Sequence, residues 1–66
     1  MALTNYQMEI LRLLKALGVP KEEAIPAMAS VENSKVAEKV IEKVLEMEDN
    51  NEELTAQKLL EIMATI

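Results

Sequence analysis

Asp49, Asn51 and Glu53 stand two apart in the run EMEDNNEE, residues 46–53. Oxygen ligands at the first, third and fifth places of a loop are how an EF-hand begins to grip calcium. The same chemistry needs a Gly at the sixth place and a bidentate Glu at the twelfth. Those places hold Leu54 and Leu60. The run therefore reads as a solvated loop between helices, and no metal is expected.

Other chemistries fare no better. Paired carboxylates act as acid and base only where a cleft sets them apart electrostatically, and a 66-residue helical chain has little room for a cleft. Thr4, Ser30, Ser34, Thr55 and Thr65 supply hydroxyls, but the chain has no His to activate one and no Cys to serve as thiolate. Most of these hydroxyls fall where helix caps are expected. Gly18 is the only glycine, so there is no phosphate-cradling loop. The reading is a non-enzyme without a cofactor.

Lys35, Lys39 and Lys43 align at i, i+4 and i+8, the spacing of a basic helical stripe. Glu38, Glu42 and Glu46 interleave with them, which predicts a solvent face laced by i, i+3 pairs such as Lys35–Glu38 and Lys39–Glu42. The net charge is −5. Residues 1–31 balance Arg12, Lys15 and Lys21 against Glu9, Glu22 and Glu23, so residues 32–66 carry all the excess acid. Phosphate contacts dominate nucleic-acid affinity, so no nucleic-acid partner is expected, and an anionic membrane surface is equally unsuited. The apolar residues near the start are interrupted by Thr4, Asn5, Gln7 and Glu9, unlike a signal peptide, and no stretch reaches membrane-spanning length. A cytoplasmic protein is the expectation.

These residues must be positioned by helices. Half the chain is apolar, yet it has no Phe or Trp and Tyr6 is the only aromatic, so an aliphatic and Met core is implied. A chain this short buries only about 60% of its unfolded surface, and self-association is one way to bury more. A homodimer and a monomer both remain open.

The pattern predicts an all-α fold: one compact four-helix domain spanning residues 1–66. The first helix covers 5–17, with Thr4 as N-cap, Gln7 completing a capping box, and Leu3 and Met8 at the ends of a hydrophobic staple. Its stripe is Tyr6, Ile10, Leu13, Leu14 and Leu17, and Gly18 ends it at C′. The second covers 20–31, with Pro20 at N1 and Glu22 and Glu23 in the first turn. Ile25 and Met28 face inward, joined by Val31 or Ala29. Pro26 is expected to kink this helix, the rival outcome being a helical turn at 20–24 followed by a short helix that begins at Pro26 as N1. The third covers 34–48, capped by Asn33 or Ser34. Its broad apolar face (Val36, Ala37, Val40, Ile41, Val44, Leu45, Met47) marks it as the central helix. The fourth covers 55–65, with Thr55 as N-cap and Leu54 and Leu59 at staple positions. Its apolar side is Leu59, Leu60, Ile62, Met63 and Ile66.

Methionine at helical spacing usually fills a core, the reading taken for Met28 and Met63. Met8 and Leu11 differ. They lie off the main stripe of the first helix, beside Arg12 and Lys15, and are the best candidates for an exposed apolar patch.

Leu17-Gly18-Val19 follows the first helix, Ala24 lies six residues past the Gly, and Ala27-Met28 comes shortly after. In these residues, and in Ala37 and Ile41, the segment 14–41 resembles a ubiquitin-associated domain. The resemblance implies a compact three-helix topology and a contact surface at Leu17, Gly18 and Val19, with Val19 where that family has an aromatic. Residues 11–66 also resemble short, acidic proteins of anaerobic Gram-positive bacteria. They share Leu17-Gly18-Val19 before a second helix, Ile25 through Met28 within it, and Ile41-Glu42 in the third. That resemblance implies a bacterial cytoplasmic origin.

The functional expectation is a non-catalytic protein-interaction or assembly module. Its candidate surface is Met8, Leu11, Leu17, Gly18 and Val19, and its partner is another protein or a second copy. The alternative is an acidic inhibitor or nucleic-acid mimic of the phage type, presenting the carboxylates of 46–53.

Overall fold

Each helix begins and ends where a local hydrogen bond satisfies its free backbone groups, and the computed structural model, which describes residues 3–66, shows most of these directly. Helix α1 is Asn5–Ala16. The Thr4 hydroxyl accepts from the Gln7 backbone N–H at 3.3 Å, and the Gln7 side-chain carbonyl accepts from the Thr4 N–H at 2.9 Å. This is the capping box the sequence predicts. At the far end, the Val19 N–H donates to the Leu14 carbonyl at 3.0 Å and the Gly18 N–H to Lys15 at 3.1 Å. That pair is a Schellman motif, with Gly18 in the left-handed region at φ 81°.

Helix α2 is Lys21–Ala29. Pro20, expected inside the first turn, is instead the extended N-cap residue at φ −68°, ψ 155°. Its carbonyl accepts from the Glu23 and Ala24 N–H groups at 3.0 and 2.9 Å, while its ring offers no side-chain cap. Pro26 lies inside the helix, which stays a single element. α2 ends two residues short of the expected 31. Val31 then turns fully inward from the connection to α3.

Helix α3, Ser34–Asp49, is capped by Asn33, whose side-chain oxygen accepts from the Lys35 N–H at 2.8 Å. Its C-terminus holds a second Schellman motif that the sequence reading missed. Asn51 takes φ 58°, and the Glu52 N–H donates back to the Met47 carbonyl at 2.9 Å. Asn tolerates this conformation better than any residue but Gly. Helix α4, Ala56–Thr65, starts at Thr55, whose hydroxyl accepts from the Lys58 N–H at 3.1 Å. Leu54 is half-buried against the core cluster to which Leu59 belongs, in keeping with a staple.

The four helices form an all-α domain. α1 lies chiefly against α3, α4 against α3 and α2, and α2 against α1, closing a ring. The core they enclose is aliphatic: Ile10 and Leu14 of α1, Ala37 and Val40 of α3, Leu59 of α4, and the linker residue Val31. The Cα radius of gyration is 10.9 Å, against about 10.8 Å expected for a compact chain of this length.

Several apolar residues expected in the core lie outside it. Tyr6 is 42% exposed, and its neighbour Gln7 takes the buried place at 7%. Leu13 and Leu17 are only half-buried. The buried line of α1 thus runs Gln7–Ile10–Leu14, which keeps Ile10 and Leu14 but is rotated by about 50°, half of one residue's turn, from a Tyr6-centred stripe. The cause is the Gln7 amide. Its Nε2 donates to the Val31 carbonyl at 2.9 Å and the Glu32 carbonyl at 2.8 Å, joining the start of α1 to the α2–α3 connection. In α2 the small Ala24 turns inward and Ile25 outward. Leu45 and Ile66 are exposed at the edges of their faces. On α3 the ion pair that closes is Lys43–Glu46 at 3.8 Å. Neither Lys35–Glu38 nor Lys39–Glu42 approaches to pairing distance, as suits exposed side chains whose pairing is worth little.

Gln7→Glu keeps the capping box but replaces two donated hydrogen bonds by a carboxylate facing two carbonyls. It should destabilise the fold by about 2–3 kcal/mol, read as a lower urea midpoint with unchanged slope. A midpoint equal to or above wild type would show that the capping box alone accounts for the conservation of stability at this site.

Candidate interaction surface

The Ser and Thr hydroxyls other than that of Ser34 are committed to backbone. Thr4 and Thr55 cap helices, the Ser30 hydroxyl donates to the Ala27 carbonyl at 2.7 Å, and the Thr65 hydroxyl donates to the Glu61 carbonyl at 3.0 Å. Every Asp and Glu side chain is exposed. Among the described residues no three carboxylates converge on a point that would hold a metal ion. No helix among them is long and apolar enough to cross a membrane.

What the fold does present is apolar surface. Met8 is 46% exposed and Leu11 half-buried, and with Arg12 and Lys15 they line a shallow depression on α1. Leu11 and Lys15 then continue into a groove of about 390 Å³ between α1 and α2. Its other walls are Val19, Lys21, Ala24 and Ile25. Ile25 is 62% exposed, the most exposed of the large apolar side chains among the described residues. It also borders a second groove on its far side, with Leu3 and Met28. Leu11 and Ile25 therefore link three concavities into one apolar strip. Its flanks near Leu11 carry Arg12, Lys15 and Lys21. Arg12 reaches Glu9 at 3.6 Å, with both side chains well exposed.

The expected surface residues divide. Met8 and Leu11 lie on the strip. Gly18 is exposed, with nothing within 4 Å of where a Cβ would stand, and Leu17 is half-buried against the core. Val19 was expected on the surface, but it is 8% exposed and belongs to the core. The Schellman motif explains this: the residue after the left-handed Gly is drawn back on the helix it closes, here by its N–H bond to the Leu14 carbonyl. Ile25 is the residue that sequence reasoning missed. Its assignment to the core followed from pairing it with Met28 at i, i+3, whereas the inward residue is its small neighbour Ala24. Pro26 and Ala27 instead line a groove against α4, together with Leu60 and Met63, so α2 is sandwiched and its outer edge is left to Ile25.

No family model, curated protein or solved structure matches this chain.

The division between core and surface has a direct test. Val19→Ala should cost about 1–2 kcal/mol in urea denaturation, because it removes buried methyl groups beside Leu14. Ile25→Gln should stay within about 0.5 kcal/mol of wild type. A reversal of that order would show that the burial of the two residues is misassigned.

Proposed function

We propose that this chain is a non-catalytic protein-interaction module that binds through the face shared by α1 and α2. The observation carrying this reading is the continuity of exposed apolar surface from Met8 through Leu11 to Ile25. Scattered apolar residues are ordinary on a protein surface, whereas a connected strip edged by charged side chains marks a contact site. The side chains are those of an adaptable docking surface: a flexible Met, two branched aliphatics, and long cations whose stems extend the apolar area. Both helices bearing them pack on the core, which sets where the strip lies on the molecule. The site is read as cytoplasmic, with a protein as its partner.

One observation favours a second reading. Glu46, Glu48, Asp49, Glu52 and Glu53 are all exposed around the left-handed turn at Asn51. This acidic end suits an inhibitor that mimics a nucleic-acid backbone to a basic partner.

Photo-cross-linking separates the two. A benzophenone side chain placed at position 25, 52 or 57 is irradiated in extract of the source cells. The α1–α2 reading expects a defined adduct from position 25, suppressed by excess wild-type protein and not by Ile25→Gln. An adduct confined to position 52 and weakened by salt would replace it with the acidic reading. Equal adducts from all three positions, or none, would remove the interaction reading.

A further inference from the structure

The groove between α1 and α2 is cationic in a chain whose net charge is −5. Lys15 and Lys21 flank its apolar floor, Arg12 stands in the adjoining depression, and no carboxylate lines either one. Charge alone therefore selects an acidic occupant with apolar anchors.

The chain itself carries such a surface. Leu45 of α3 is 53% exposed, an apolar side chain the core does not use. Ile41, one turn earlier, is half-buried beside it. At about 100° per residue, Glu38, Glu42, Glu48 and Asp49 all fall within about 60° of Leu45 around the helix. No Lys or Arg falls in that sector, because Lys35, Lys39 and Lys43 lie further round toward Glu46. All four carboxylates are exposed. The result is a helical edge with two apolar anchors at i and i+4 between carboxylates, the form that enters an apolar groove. No α3 residue lines the α1–α2 groove, so one copy presents the groove and the edge at separate places.

Resting on the interaction reading above, we infer that the occupant of the groove is a second copy of this chain, which inserts the Ile41–Leu45 edge of its α3 between Lys15 and Lys21. The contact joins two different patches, so it is heterologous and propagates head to tail. A symmetric pairing of two grooves is disfavoured, because it would bring the Lys15 and Lys21 of one groove against those of the other. Opposed charge makes the association sensitive to salt.

Sedimentation velocity on the purified full chain tests this. Between about 10 µM and 1 mM, the wild-type sedimentation coefficient should rise with concentration. Raising salt from about 50 to 500 mM should weaken the association about tenfold. Ile25→Gln disables the groove and Leu45→Gln the edge. Both side chains are exposed, and circular dichroism verifies that each variant keeps its fold. Each variant alone should sediment as a monomer. Their equimolar mixture should restore association but stop at a pair, about twice the monomer mass, since one partner offers only a groove and the other only an edge. A wild type that stays monomeric throughout would overturn the proposal, as would single variants that associate like wild type or a mixture that stays monomeric. A monomeric wild type combined with a competed cross-link from position 25 to a different protein would sink self-assembly alone and leave the interaction reading standing.

Discussion

The side-chain amide of Gln7 is the contact on which the arrangement of the helices depends. It is the only buried polar side chain among the described residues, and it makes three hydrogen bonds. One closes the N-terminus of α1 on itself. The other two reach 24 and 25 residues along the chain to the carbonyls that link α2 to α3. A buried amide left without partners is costly, so the packing that satisfies this one leaves few alternatives. An aliphatic core of Leu, Ile, Val and Met tolerates many rotations of a helix about its own axis. Gln7 selects one of them, and that choice turns Tyr6 outward and sets the line along which α1 meets α3.

The residues displaced from the core become the surface that the chain offers. Met8 and Leu11, off the buried line of α1 in either arrangement, stand toward its outer side. The inward turn of Ala24, small enough to let α2 approach closely, sends Ile25 outward. The Schellman closure at Gly18 draws Val19 in to floor the groove between them. Charge is distributed along with this: the cations of α1 and α2 border the apolar strip, while the carboxylates of α3 and its following turn lie elsewhere.

The helices were legible in the sequence because their punctuation is local. Thr4, Asn33 and Thr55 cap, and Gly18 stops, within three or four residues of where each acts, so short-range pattern suffices. The turn at Asn51 was legible in principle, since Asn is the second choice for a left-handed closing residue. Met8 and Leu11 were legible as a patch because they fall off the stripe of α1. Ile25 and Leu45 were not. Both are apolar residues at the margin of a helical face, and exposure there depends on how far a neighbouring helix reaches. Gln7 was read for its local bond alone. Its partners on Val31 and Glu32 belong to a distant connection, and nothing in a capping-box pattern specifies them.

Helix α2 has weaker internal restraint than its neighbours. It has nine residues, no side-chain cap at Pro20, and at Pro26 no N–H to return to the carbonyl one turn earlier. Local opening free energies follow such deficits, so α2 is the segment expected to exchange its amide hydrogens soonest among the four helices. Because Lys21, Ala24 and Ile25 all belong to it, anything seated in the groove would have to quiet that breathing, and would bind with an entropic cost set by α2. A module built so can hold its core rigid while leaving one wall of its binding groove soft.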